Sequence, residues 1–198
     1  MAYEAKNFDS LIGTAGFSDQ LLKNHFTLYQ GYVTNTNKVI DSLAALAKEG
    51  KAATPEYAEL TRRLGWEFNG MRLHEYYFGN MKKGGSAIDT NSEFYKQTVK
   101  SYGSFDNFEK NLKAVGTMRG IGWAIAYYDA EASRLQNVWV NEHDVGHFAG
   151  AAPLLIMDVF EHAFMIDYGL KRADYIEAFW KAIDWVSVSK RFDAATRK

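Results

Sequence analysis

Apolar residues recur at three- and four-residue spacing through the first third of the chain. This period runs over residues 17–48 and predicts a first helix. Thr54, as the helix cap, and Pro55, as the first helical residue, mark the start of a second helix. The second helix should run towards position 81, with a break expected near Gly70. Two long helices with a short connection pack antiparallel. The pattern therefore predicts an N-terminal helical hairpin.

The pattern changes in the second half. A glycine-rich charged segment at residues 82–86 is the best linker candidate, a capping box at residues 90–93 opens a further helix, and another helix follows Ser104. Three short apolar runs then predict strands, and the end of the chain returns to helix; the strands are 122–128, 135–140 and 153–158. We predict an α+β fold with a small three-stranded antiparallel sheet, divided into a hairpin domain (1–85) and an α/β domain (86–198).

Composition limits the classes of function. Of the 198 residues 47% are hydrophobic and 15% aromatic, which indicates a globular protein. The formal net charge of -1 gives no reason to expect a nucleic-acid or membrane partner, and the absence of cysteine excludes disulfides and thiolate metal sites. The N-terminus lacks the features of a signal peptide and no apolar run is long enough to span a membrane, so a soluble cytoplasmic protein is expected.

The most informative stretch is the corner after the third strand. Asp158 and His162 lie where the buried strand should end and a helix begin. A carboxylate is costly in an apolar place unless it is paired or bound to a metal, and an Asp and a His in one corner offer an oxygen and a nitrogen ligand. Taken alone, the pair is more typical of a His–Asp hydrogen bond without a metal.

Two further histidines change this interpretation. His25 and His74 lie on the two hairpin helices among apolar and aromatic neighbours. Each alone would more often be a hydrogen-bonded core residue. With Asp158 and His162 they supply three imidazoles and one carboxylate, which suits a borderline divalent metal with room for a solvent ligand.

These residues belong to a wider resemblance. The chain resembles the iron/manganese superoxide dismutases over nearly its whole length, most specifically in a segment similar to that family's Asp-x-Trp-Glu-His-Ala-Tyr signature. The matching segments are Asp158-Val159-Phe160-Glu161-His162-Ala163-Phe164, Tyr32-Val33-Thr34-Asn35-Thr36-Asn37, Gly120-Ile121-Gly122-Trp123 and the closing helices around Tyr175–Trp180 and Asp184-Trp185.

The resemblance implies a fold, a cofactor and a ligand set. It implies that the hairpin and the α/β domain meet at one iron or manganese ion per subunit. It also implies that the ion is held by His25, His74, Asp158 and His162, with water or hydroxide in fifth place. Trp123 would be part of the catalytic surroundings.

The gateway tyrosine of the family corresponds to Tyr32, with one departure. The family's tyrosine follows the first metal histidine by eight residues with a histidine halfway, whereas Tyr32 follows His25 by seven and Tyr29 stands between them. Offsets of four and seven lie within about 40° on a regular α-helix, so the three side chains share a face. A structural tyrosine in the hairpin is the alternative.

A second departure concerns the outer shell of the metal. Gly70 stands where iron-type members carry a glutamine, and the position that matches the manganese-type glutamine is His143, expected to bond both the solvent ligand and Tyr32. Glu142 and Asp144 are expected to set its tautomer. The alternative is an exposed loop histidine. His147 has no role in the family and is expected to be solvated, while Phe78 and Phe160 replace tryptophans and keep an apolar wall.

The roles expected for two charged residues depend on the family resemblance alone. Glu161 resembles the residue that reaches across the family's dimer interface to a metal histidine of the other subunit, and Arg172 occupies the position of its substrate-funnel arginine. As isolated features, both are ordinary surface charges. A homodimer or homotetramer is expected.

The resulting hypothesis is a superoxide dismutase that converts superoxide to dioxygen and hydrogen peroxide. A non-catalytic metal-binding or interaction protein on the same scaffold is the rival hypothesis. A metal-dependent hydrolase is a third, although no second carboxylate is evident near the site.

Overall fold

The computed structural model describes residues 2–197, in which a short 3₁₀ turn at Asp9–Leu11 precedes the predicted hairpin. Helix α1 spans Asp19–Lys48 and α2 spans Pro55–Phe78. The Thr54 side chain accepts a hydrogen bond from the amide of Tyr57 at 3.3 Å, with Pro55 in the first turn, as the sequence predicts. The helix ends at Phe78 rather than near residue 81.

Helix α2 runs unbroken through Gly70, so the expected break there is wrong. The glycine has a packing role instead. A Cβ at this position would lie 2.5–2.6 Å from ring carbons of Tyr32 on α1, well inside contact distance. Gly70 therefore lets the Tyr32 ring lie directly against α2.

The next two helices, α3 (Glu93–Tyr102) and α4 (Phe105–Gly116), begin at serine caps. The hydroxyl of Ser92, not Thr90, accepts from the amide of Tyr95 at 3.2 Å, so the helix cap is a single serine two residues later than the predicted capping box. Ser104 caps α4 as predicted. The segment at residues 82–86 runs against the other half of the chain, where the amide of Lys82 donates to the carbonyl of Ala182.

The predicted three-stranded antiparallel sheet is confirmed. Strands β1 (Gly122–Asp129), β2 (Arg134–Asn141) and β3 (Ala152–Asp158) form a sheet in the order β2-β1-β3. The central strand β1 is buried on both faces except at its last residue. Its register pairs Trp123 with Asp158, which brings the predicted tryptophan next to the corner.

The chain ends in short helices that cover the sheet. A 3₁₀ turn at Glu161–Ala163 follows β3, and then come α5 (Met165–Tyr168), α6 (Arg172–Ala182) and α7 (Trp185–Thr196). Helix α2 packs against β3, and α1 packs against the 3₁₀ turn, so hairpin and sheet meet at the corner after β3.

The division into two domains stays a prediction, and its outermost residues, 1 and 198, lie outside the described range. Within residues 2–197 no helix combines the length and apolarity needed to cross a lipid bilayer.

Candidate metal centre

Four side chains from four elements converge where the hairpin meets the sheet. They are His25 from α1, His74 from α2, Asp158 from the end of β3 and His162 from the 3₁₀ turn, and their ligand atoms all lie within 4.8 Å of one another. Oδ2 of Asp158 is 3.2 Å from Nε2 of His25, 3.2 Å from Nε2 of His162 and 3.5 Å from Nε2 of His74. The carboxylate oxygen therefore faces all three imidazoles.

His74 is oriented by its own helix. Its Nδ1 lies 2.5 Å from the carbonyl oxygen of Gly70, one turn earlier. A carbonyl only accepts, so Nδ1 carries the proton and Nε2 presents a lone pair. This buried Nε2 has no hydrogen-bond partner within residues 2–197. The ring is thus held as a metal-binding histidine usually is, with one nitrogen bonded behind and the other directed into the cluster.

Asp158 is buried but ionised. Burial alone would raise the pKa of its carboxyl, yet the charge of His162 and the hydrogen bonds from His162 and His25 outweigh burial and hold the pKa well below its usual range. Oδ1 accepts from the amide of Phe160 at 2.9 Å, and the main-chain oxygen accepts from the hydroxyl of Tyr175 at 2.6 Å. Oδ2 is left to face the histidines.

The donor set fits a divalent metal better than a plain hydrogen-bonded pair. Burial lowers the pKa of His25, and burial together with His25 lowers that of His74 well below its usual value, so both rings are neutral ligands. A His–Asp hydrogen bond without a metal would leave the buried Nε2 of His74 unsatisfied. Three imidazole nitrogens and one carboxylate oxygen suit iron or manganese.

Tyr32 lies beside the cluster on a helix without irregularity. Helix α1 is α-helical throughout, so Tyr32 lies seven residues, about two turns, after His25 on the same face. The Tyr32 ring stacks on His74 with 5.2 Å between centroids, and its hydroxyl lies 2.8 Å from Nε2 of His143. Tyr29, one turn earlier, donates to Glu75 at 3.0 Å and stays out of the cluster.

His143 is fully buried, so the alternative of an exposed loop histidine is wrong. Its Nδ1 accepts from the indole N–H of Trp123 at 3.1 Å, and its Nε2 lies 2.8 Å from the Tyr32 hydroxyl. Burial lowers the pKa of His143 to about 4, so the ring is neutral at neutral pH and its proton is on Nε2. Trp123, not Glu142 or Asp144, sets the tautomer.

Sequence reasoning missed Trp66. Its ring lies 4.6 Å from that of His143 and 5.5 Å from that of Tyr32, and its indole N–H donates to Glu142 at 3.1 Å. Trp66 and His74 are eight residues apart on α2, two turns along one face, and this spacing is the signal that could have found it.

His147 is half-buried and hydrogen-bonded, so the expectation that it is solvated is wrong. One nitrogen lies 2.7 Å from the hydroxyl of Tyr127 and the other 2.8 Å from the carbonyl oxygen of His143. The bonds tie the ring to the sheet and to the loop that follows β2.

The apolar wall has the expected members. Phe160 stacks on His143 at 4.8 Å and on His162 at 5.1 Å, and Phe78 meets the edge of His25 at 4.9 Å. The rings keep water from much of the cluster, although the side chain of His162 remains 29% exposed.

Glu161 and Arg172 lie outside the cluster. Glu161 is exposed and makes no ion pair within residues 2–197. Arg172 donates to the carbonyl of Met118 at 2.8 Å and lies 5.5 Å over the ring of Phe164.

Comparison with known proteins agrees with this geometry. Residues 90–191 match the family model of iron/manganese superoxide dismutases, C-terminal domain. The chain is 34% identical to a superoxide dismutase [Fe] of Sulfolobus acidocaldarius, over 86% of this chain and 82% of that one. It is 35% identical to a superoxide dismutase [Fe] of Aquifex pyrophilus, over 92% and 87%. It is also 31% identical to superoxide dismutase [Mn] 2 of Haloferax volcanii, over 90% and 88%.

Proposed function

Because this chain belongs to the iron/manganese superoxide dismutase family, we propose that it converts superoxide to dioxygen and hydrogen peroxide at one mononuclear ion per subunit. The protein is an oxidoreductase with iron or manganese as its cofactor. In the proposed reaction two superoxide ions and two protons give one dioxygen and one hydrogen peroxide. One superoxide loses an electron and the other gains it.

The observation that carries this proposal is the convergence of three imidazoles on one buried carboxylate. In the proposal His25, His74, Asp158 and His162 hold the ion. When bound, it supplies two oxidation states, so that one electron is taken from the first superoxide and given to the second. The buried carboxylate offsets part of the ion's charge.

The protein's own contribution includes a held proton beside the cluster. Burial raises the pKa of Tyr32 well above its usual range, so its hydroxyl stays protonated. The Nε2–H of His143 donates to the Tyr32 oxygen, which leaves the hydroxyl's own hydrogen for another acceptor. This arrangement supports Tyr32 and His143 as the groups that pass protons to the reacting oxygen.

Aromatic side chains limit the access of water. Trp123 is fully buried between His74 and His143, with its ring 5.0 Å from that of His74. Phe160 covers His143 and His162 from the other side. A dry surrounding strengthens every electrostatic interaction of the bound ion with the carboxylate and the tyrosine.

We also propose a homodimer in which Glu161 contacts a metal histidine of the other subunit. Glu161 is exposed next to His162, and three apolar residues that follow it in the chain are exposed as well: Met165, Ile166 and Leu170. Arg172 is proposed to guide the anionic substrate. A cytoplasmic location is part of the same proposal.

Metal analysis of the purified protein together with a superoxide-consumption assay tests the proposal. Close to one iron or manganese per chain, and superoxide consumption that disappears in His162→Ala, are expected. A metal-loaded protein that consumes no superoxide would overturn the enzymatic proposal and favour a metal-binding protein. Metal-dependent ester or phosphate hydrolysis by the same sample would favour a hydrolase.

A further inference from the structure

The loop after β2 bends sharply and places His143 next to Tyr32. The amide of Asn141 donates to the carbonyl of Val145 at 2.8 Å, and Glu142 has a φ of 48°, in the left-handed region. A non-glycine residue in that region is strained unless its surroundings hold it there. The loop therefore depends on contacts outside itself.

His147 supplies such a contact, and its protons can be assigned. Its Nε2 lies 2.8 Å from the carbonyl oxygen of His143, which only accepts, so Nε2 carries the proton. In the neutral ring Nδ1 then accepts from the hydroxyl of Tyr127, 2.7 Å away. Tyr127 is itself 3% exposed and packed against Phe148 at 5.8 Å, so it is a firm anchor.

The anchor is on the same strand that holds the His143 ring. Trp123 donates a hydrogen bond to the ring of His143, and Tyr127 is connected to the main chain of His143 through His147. Trp123 and Tyr127 are four residues apart on β1, so they lie on the same face of the strand. Strand β1 therefore fixes both the main-chain position and the ring orientation of His143.

We propose that His147 is a positioning residue, which holds the main chain of His143 so that Nε2 stays within hydrogen-bond distance of the Tyr32 hydroxyl. The inference rests on the proposed function for its effect on turnover, but not for its effect on geometry. Without the Nε2–H of His147, the His143 carbonyl loses its link to β1 and the 2.8 Å bond to Tyr32 lengthens.

A matched pair of variants separates positioning from general stability. The amide nitrogen of His147→Gln reaches about as far as Nε2, whereas that of His147→Asn reaches only as far as Nδ1. Gln therefore keeps the bond to the His143 carbonyl and Asn does not. Val145→Ala, in the same loop with a side chain 61% exposed, is the control.

The variants are compared as metal-loaded proteins by crystallography, metal content, melting temperature and turnover per bound metal. His147→Asn and His147→Ala should keep the metal and lose the His143–Tyr32 bond, with maximal turnover falling about tenfold, the lower end of outer-shell effects, while His147→Gln stays within about threefold. Val145→Ala should match the wild type.

An unchanged His143–Tyr32 distance in His147→Asn and His147→Ala, or equal turnover of Asn and Gln variants, would overturn the inference. If the wild type consumes no superoxide, the proposed function fails, and the crystallographic distances still decide the role of His147.

Discussion

The indole N–H of Trp123 donates to Nδ1 of His143 at 3.1 Å, and both side chains are fully buried. An indole can only donate, so this bond decides which nitrogen of the histidine carries the proton. The other nitrogen then donates to the hydroxyl of Tyr32. Hydrogen bonds therefore join β1, the loop after β2 and α1, and each bond is donated in the direction from Trp123 to His143 to Tyr32.

Replacing His143 should lower turnover without removing the metal. His143→Ala takes away the donor to Tyr32 and leaves the four proposed ligands in place, so we expect full metal content, a shifted reduction potential and about 10–100-fold lower turnover. His143→Gln keeps a donor of similar reach and should recover part of the loss. Wild-type turnover in His143→Ala would remove His143 from the catalytic residues.

Stability below neutral pH should depend on the same residue. Between pH 6.5 and about 4 an unfolded chain's histidine binds a proton, whereas buried His143 stays neutral. The unfolded state then binds more protons, so the free energy of unfolding falls as pH falls. Between pH 7 and pH 4.5 the wild type should lose on the order of 2 kcal/mol more than His143→Gln, measured by urea unfolding. Parallel losses in both proteins would contradict the buried neutral state.

His74→Ala should abolish stoichiometric metal binding. The buried Nε2 of His74 is one of only four proposed protein ligands, and alanine leaves a cavity without a donor. Elemental analysis after purification measures the loss. Tyr77→Phe, which removes only a hydroxyl bonded to Tyr175 at 3.1 Å, is the control and should keep the metal. Stoichiometric metal in His74→Ala would exclude His74 as a ligand.

Glu161→Ala should weaken the proposed dimer and lower activity together. Each hydrogen bond to a charged group contributes about 1.5–3 kcal/mol, so the dissociation constant should rise at least about tenfold. Sedimentation over a range of concentrations measures it. Glu93→Ala, an exposed carboxylate paired with Lys96 at 2.6 Å, should change neither property. A wild-type protein that sediments as a monomer at micromolar concentration would contradict the dimer.

Much of the fold could be predicted because local sequence patterns indicate where its helices and strands begin and end. Strand β1 was predicted to within one residue of its end, and Thr54 and Ser104 mark helix starts. The proposed ligands were found from residue type and family signature. Their ligand role is still a prediction, although the four side chains do come together.

Contacts between distant elements could not be read from periodicity. Periodicity says which face of a helix or strand a residue occupies, but not which side chain of another element it meets. The family resemblance predicted the contact between His143 and Tyr32. Two other contacts are found only in the structure: that of His143 with Trp123 and that of His147 with Tyr127, each 20 residues apart in sequence. Gly70 likewise suggested a break in α2 where it instead receives the ring of Tyr32.

Gly70 provides the sharpest test of this packing. A methyl group at position 70 would lie 2.5–2.6 Å from ring carbons of Tyr32, so Gly70→Ala must displace the ring. The displaced ring loses its 2.8 Å bond to His143 and its stacking on His74. We expect full metal content but turnover lower by about 10–100-fold, as for other outer-shell changes.

The same helix offers a control for the backbone effect of the substitution. A Cβ at Gly65 would meet nothing within 4 Å, so Gly65→Ala should only gain helix propensity and stabilise the protein by about 0.5–1 kcal/mol, with unchanged turnover. Gly70→Ala should show the opposite pattern, with lower turnover and no gain in stability. Turnover assays and urea unfolding of the two variants side by side measure both. Equal behaviour of the two would mean that Tyr32 does not depend on the space at Gly70.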